Sequence, residues 1–244
     1  MRLLKILKSQ GVASNTECKK LILDGHVQVN GVVVKDPQAD FGGEGTKFSV
    51  GDTTFKFRAN VYIALNKPVG YECSHRPQFY PSIFSLLPNY LINRGIQAVG
   101  RLDEDTSGLL LLSDDGQFIH RYTSPKKEII KTYRVLLKHP VDNVFMDALT
   151  EGVLLKDEAV PVRAKFCTKI DENKLLLGIS EGRYHQVKRM VAAARNRVIG
   201  LQRIAIGEMT LSPDLKEGEW QWIDDASLLS PYSVAAGLES RLNA

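Results

Sequence analysis

Apolar positions in residues 1–34 keep a helical period and then switch to a strand period. Leu3, Leu4, Ile6 and Leu7, with Arg2, Lys5 and Lys8 interspersed, predict a short helix over residues 2–8 that Gly11 ends. Ser14-Asn15-Thr16-Glu17 has the S-x-x-E spacing of a capping box, in which the serine and glutamate each satisfy a free backbone N–H. A second helix is therefore expected from Asn15 to Leu23, turning Cys18, Leu21 and Ile22 inward and stopping at Asp24-Gly25. His26 to Val29 then alternates as a strand, Asn30-Gly31 is a strong two-residue hairpin turn, and Val32 to Val34 returns.

From about Asn60 strand patterns dominate. Val61 to Leu65 reads as a strand, Asn66-Lys67-Pro68-Val69-Gly70 as a turn, and Tyr71 to Ser74 as a further extended piece. Ile83 to Leu87 predicts one or two helical turns, Gln97 to Val99 a strand, and Leu109 to Leu112 a buried strand followed by a turn at Asp114-Asp115-Gly116. Short helices are expected over 117–122 and 142–151, with Gly152 stopping the latter, and strands over 131–137, 164–167, 175–179, 201–207 and 209–211. Glu217-Gly218-Glu219 reads as a turn. Strands outnumber helices and mostly lack helical crossovers. The expected fold class is α+β, with a small helix-helix-hairpin domain over 1–59 and a larger, mainly antiparallel mixed-sheet domain over 60–244.

With 244 residues, 43% hydrophobic and 25% charged, the chain has globular composition and enough length for one sizeable core and a small satellite. The net charge is +4. Residues 1–58 hold nine Lys/Arg against six Asp/Glu, so most of the excess sits in the first quarter, which suits a polyanionic partner. Cys18, Cys73 and Cys167 stand far apart, without disulfide or metal-ligand spacing. No apolar run approaches a membrane span, and the N-terminus lacks a cleavable apolar region, so a soluble, reducing, cytoplasmic setting is expected.

The stretch richest in chemistry is Gly100-Arg101-Leu102-Asp103-Glu104-Asp105-Thr106-Ser107-Gly108, which sets an acidic loop directly against a buried strand. A second is Glu181-Gly182-Arg183-Tyr184-His185-Gln186-Val187-Lys188-Arg189-Met190. Read as a helix, it places Tyr184, Val187, Val191 and Ala194 on an apolar stripe and His185, Lys188, Arg189 and Ala192 on another side. That cationic side suits a carboxylate or phosphate. Asp103, Asp105, Ser107, Gly108 and Asp114 also match positions 1, 3, 5, 6 and 12 of a calcium loop, but an apolar run fills what must be its solvated half. Asp103 and Asp105 as a glycosidase pair have nothing in the sequence to fix their separation. No Gly-rich phosphate loop with its lysine and no Ser-His-Asp order stands out.

Arg2-Leu3-x-Lys5-x-Leu7, Gly11-Val12-Ala13-Ser14 and Gly25-x-Val27-x-Val29-Asn30-Gly31 resemble the S4 RNA-binding domain. Gly100-Arg101-Leu102-Asp103-x-Asp105-Thr106-x-Gly108-Leu109, Thr123-Ser124-Pro125, Lys131-Thr132-Tyr133 and the 181–190 stretch resemble pseudouridine synthases, in particular the RsuA family, which acts on small-subunit ribosomal RNA. That resemblance implies isomerisation of one uridine after its base is flipped into a pocket, with neither cofactor nor metal. It implies Asp103 as the essential aspartate, as nucleophile or proton acceptor, Tyr133 as the tyrosine stacked on the base, and Lys188 as the basic partner of the aspartate. Arg101 matches an arginine that fills the space left by the flipped nucleotide. Arg183, His185, Gln186 and Arg189, with Arg2, Lys5, Lys19 and Lys20 on the first two helices, are the further expected RNA contacts. The expected partner is ribosomal RNA, free or in a partly assembled small-subunit particle, and the expected state is a monomer. A large-subunit target and a non-catalytic S4-type assembly factor remain open alternatives.

Overall fold

A computed structural model describes residues 1–224; residues 225–244, the end of the second expected domain, lie outside the described residues. The first unit follows its sequence pattern closely. Helix α1 (Leu3–Ser9) buries Leu3, Ile6 and Leu7, and α2 (Asn15–Leu23) starts at the Ser14/Glu17 capping box with both reciprocal bonds formed. Strands β1 (Val27–Val29) and β2 (Val32–Val33) meet through a turn in which Asn30 and Gly31 both have positive φ, as a primed hairpin turn requires. Two further strands, β3 (Lys47–Val50) and β4 (Thr53–Lys56), complete an antiparallel sheet in the order β2-β1-β3-β4. Phe48 and Phe57 join Leu3, Ile6, Leu7, Cys18, Ile22, Val27 and Val29 in its core.

The second unit is a nine-stranded sheet. Its strands are β5 (Tyr62–Lys67), β6 (Gln97–Ala98), β7 (Ser107–Ser113), β8 (Lys131–Leu137), β9 (Phe166–Asp171), β10 (Lys174–Ile179), β11 (Val198–Ile206), β12 (Met209–Thr210) and β13 (Trp220–Trp222). The continuous order is β13-β5-β7-β11-β8-β10-β9, with β6 paired to β7 and β12 to β11. Among the described residues only the β7–β11 strand pairing is parallel, which agrees with the expected α+β, mainly antiparallel class.

Strand β7 runs inside this sheet between β5 and β11, and every one of its residues is buried. Leu110 and Leu112 belong to the main core on one face, while Leu109 and Leu111 pack with Phe118 and Tyr122 of α4 (Gly116–Thr123) on the other. Both faces being covered explains why the run is uniformly apolar instead of alternating. At its start, Gly108 has φ +103°, and a Cβ there would lie 2.2 Å from the Arg203 carbonyl oxygen, so β11 approaches as no other residue would permit. The remaining helices are α3 (Asn89–Asn93), α5 (Asn143–Glu151), which Asp142 caps and Gly152 ends, and α6 (Gln186–Ala193).

Three expectations change. Asn66 and Lys67, predicted in a turn, finish β5, because Lys67 is paired across to Gly108 and wholly buried; the chain turns only at Pro68. The extended piece at 71–74 reduces to a single bridge between Glu72 and Ser82. Helix α6 starts at Gln186, because His185 takes a left-handed conformation (φ 46°), so Tyr184 leaves the predicted apolar stripe and is 73% exposed.

The two units meet around Gln10. Its amide exchanges hydrogen bonds with the Arg58 backbone, and its Oε1 also accepts from Arg94. Asn93 donates to the Gly11 carbonyl, and Phe55 packs edge-on against Tyr90 at 5.3 Å.

Candidate active site

The loop 100–106 between β6 and β7 carries Asp103, and the backbone around it is held on several sides. The Thr106 N–H donates to the Asp103 carbonyl, and the Gly70 N–H donates to that of Glu104. Cys73 Sγ lies 3.4 Å from the Leu102 carbonyl oxygen and 3.5 Å from its nitrogen. The buried Lys67 ammonium donates to the carbonyls of Pro68, Thr106 and Glu104 at 2.9, 2.9 and 3.4 Å. Burial pushes its pKa down. The sequence pattern that puts Lys67 in a turn also holds the contrary signal, a lysine at the end of an apolar strand, immediately before proline.

With its backbone fixed, the loop presents carboxylates to a cleft of about 440 Å³. Lys188, in the first turns of α6, lies 3.2 Å from Asp103 Oδ2 and 2.5 Å from Asp105 Oδ1. His185 Nε2 stands 3.5 Å from the other Asp103 oxygen. The Asp103 side chain keeps 31% exposure, so it is neither free in water nor sealed. For Asp105, partial burial raises the pKa but the hydrogen bond and charge of Lys188 outweigh it, leaving the carboxyl more acidic than usual. Burial likewise opposes the charge on Lys188, and the two carboxylates overcome it. The result is an Asp–Lys–Asp cluster in which one ammonium is shared between two carboxyl groups.

Tyr133 of β8 lines the same cleft, with 8% exposure, and Arg101 stands exposed at the loop end. Asp103, Tyr133, Lys188, His185 and Arg101 thus converge from distant parts of the chain. Other expected contacts take different places. Arg183 lines the cleft but pairs with Glu181 at 2.5 Å and with Glu158. Gln186 is 4% exposed, and its Oε1 accepts the Arg183 N–H, so its amide shapes the turn before α6. Arg189 bonds the Lys156 and Tyr184 carbonyls, and does not line the cleft. Arg2, Lys5, Lys19 and Lys20 are all exposed on the first unit, away from the cleft lining. Asp114 is consumed by Arg94 and the Val61 N–H, so the calcium-loop pattern does not assemble. Two cleft residues, Lys131 and Arg203, went unassigned from sequence.

Residues 61–193 match the family model for RNA pseudouridylate synthase, and residues 1–41 match the S4 domain. The chain belongs to the RNA pseudouridylate synthase family. It is 39% identical to ribosomal small subunit pseudouridine synthase A of Haemophilus influenzae, covering 91% of this chain and 95% of that one. The Escherichia coli protein of the same name is 36% identical over 94% and 99%. A solved pseudouridylate synthase structure is 38% identical, with a TM-score of 0.66 over 94% of this chain and 98% of the other. This RNA pseudouridylate synthase carries its cleft residues from Arg101 to Lys188 inside the matched region, whereas Arg203 lies beyond it. None of its described helices is long and apolar enough to cross a membrane.

Proposed function

We propose that the enzyme converts one uridine of small-subunit ribosomal RNA to pseudouridine, with Asp103 as its catalytic carboxylate. The observation that carries this reading is the position of Asp103: on a pinned loop, ion-paired to Lys188, facing a cleft walled by Tyr133. The small-subunit target is drawn from the relatives that bear that name.

The reaction breaks the N1–C1′ bond, turns the uracil and joins C5 to C1′. Chemistry on a stacked or paired base requires its extrusion, and a cleft of this size accepts one nucleotide. Tyr133 offers the flipped ring a stacking surface, and Arg101, exposed at the loop end, fills the vacated stack. Lys188, 3.2 Å from Asp103, gives that side chain a cation that holds and orients it, whether it acts as a nucleophile at C1′ or as an acceptor of the 2′ proton. Residues 1–59 supply RNA affinity through Arg2, Lys5, Lys19 and Lys20, while residues 60–244 supply the chemistry.

The test is pseudouridine mapping of ribosomal RNA from cells with and without the gene, and of naked RNA and small-subunit particles treated with purified enzyme. One small-subunit position should lose its modification in the deletion and regain it in vitro. Unchanged small-subunit modification with a missing large-subunit position would overturn the target.

A further inference from the structure

The cations of the cleft fall into two classes. Lys188 has its two carboxylates, and Arg183 has Glu181 and Glu158. Lys131 and Arg203 have no ion-pair partner among the described residues. The Lys131 ammonium donates only to the Ser180 carbonyl, at 3.3 Å. Arg203 is 4% exposed; its Nε donates to the Leu109 carbonyl at 2.8 Å, and its Nη2 is buried without a hydrogen-bond partner. Lys131 and Tyr133 are two apart on β8 and so share a face, and Tyr133 is the cross-strand partner of Arg203 on β11. All three line the cleft. A half-buried lysine beside a buried arginine, neither ion-paired, is costly unless something else supplies the acceptors.

We propose that Lys131 and Arg203 form an electrostatic seat for the uracil ring, hydrogen-bonding its carbonyl oxygens and stabilising the negative charge it carries once detached from the ribose. This rests on the isomerisation proposed above. When N1–C1′ breaks, the bonding pair stays on the base and spreads over N1, O2 and O4. On the sugar, C1′ takes an Asp103 oxygen, or a C1′–C2′ double bond forms as Asp103 accepts the 2′ proton. Either route releases the same uracil anion. The C5–C1′ bond then forms as the Asp103–C1′ bond breaks, or as Asp103 returns its proton to C2′, and the proton lost from C5 is balanced by one gained at N1. Charge is thereby divided across the cleft: Asp103 and Lys188 serve the sugar, Lys131 and Arg203 serve the base. The seat also disfavours cytidine, whose 4-amino group brings N–H donors where acceptors are required.

Lys131 is the better residue to vary, because the Arg203 side chain also ties β11 to β7. Arg203 and Glu181, before α6, act on Lys131 electrostatically, and Tyr133, Tyr122, Asp103, Arg101, Arg183, Tyr184, His185 and Lys188 are the other titratable groups lining the cleft. Burial, then the nearby Arg203, lowers the Lys131 pKa to about 8, whereas burial raises that of Tyr122 to about 12. Single-turnover rates on a small-subunit RNA substrate should fall roughly 100-fold in Lys131→Met, the scale of one lost charge-stabilising donor. RNA affinity, measured by filter binding, should change less than about threefold, since the seat acts mainly after bond breakage. Wild-type rates should decline above about pH 8 as Lys131 loses its proton. Lys131→Arg should retain turnover and move that alkaline limb to higher pH, which a merely structural lysine would not do. A Lys131→Met enzyme with wild-type rates, or an alkaline limb unmoved in Lys131→Arg, would overturn the seat. A wild-type enzyme that forms no pseudouridine in small-subunit RNA or particles would instead overturn the proposed function.

Discussion

The two ends of β7 hold similar chemistry to different effect. Beyond its C-terminal end, Asp114 accepts from Arg94 Nε and Nη2 at 2.8 and 2.7 Å and from the Val61 N–H at 2.7 Å, with side-chain exposures of 13% and 5% for Asp114 and Arg94. Arg94 also bonds Gln10 and the carbonyls of Arg58 and Ala59. That cluster is satisfied and joins the two units. Before the N-terminal end, one lysine is divided between Asp103 and Asp105, with the cleft beside them. A saturated ion pair fixes a fold; an incompletely saturated one leaves carboxylate oxygens able to meet a substrate.

The contrast breaks most visibly at the saturated end. Arg94→Met leaves Asp114 buried without its cation and should cost about 3–5 kcal/mol, the usual loss on removing one partner of a buried pair. In a chain of this size that lowers the melting temperature by roughly 10 °C. Turnover per folded molecule, measured well below that temperature, should stay near wild type. A variant that melts normally yet loses turnover would reverse the roles of the two ends.

At the open end, Lys188→Met should reduce kcat by roughly 100-fold while changing the melting temperature little, because Asp103 loses its main cation but keeps partial contact with water. Asp105→Asn should cost less than about tenfold, since Lys188 then turns wholly to Asp103. The smallest effect is in acid. The Asp105 pKa is lowered on folding, so its contribution to stability is complete above the ordinary aspartate range and disappears as pH falls through the depressed value. Solvent screening of a side chain 58% exposed keeps that contribution small. Melting curves of wild type and Asp105→Asn should therefore differ slightly near neutrality and converge in acid.

Where local chemistry dictated structure, the sequence was readable. The Ser14/Glu17 box, the Asn30-Gly31 turn and the apolar β7 run each depend on near neighbours or on burial from both sides, and each folds as expected. Asp103 could be singled out because its loop abuts that run, and Tyr133 and Lys188 through the family resemblance. The carboxylate that engages both Arg183 and Arg189, Glu158, was not legible as their partner, because it is more than twenty residues away and carries no motif. Arg203 was hidden for the opposite reason: a long polar side chain in a strand pattern gives no sign that its charged end turns inward. The start of α6 was misplaced because a left-handed His185 has no local marker comparable to glycine.

The most direct test concerns Asp103 alone. Asp103→Asn keeps the size and hydrogen-bonding reach of the side chain and removes its charge. In single-turnover reactions with small-subunit RNA or particles, pseudouridine formation should drop by roughly 10⁴-fold or more, with melting temperature and RNA affinity close to wild type. Pseudouridine formed by that variant at a rate within tenfold of the wild type would contradict the account.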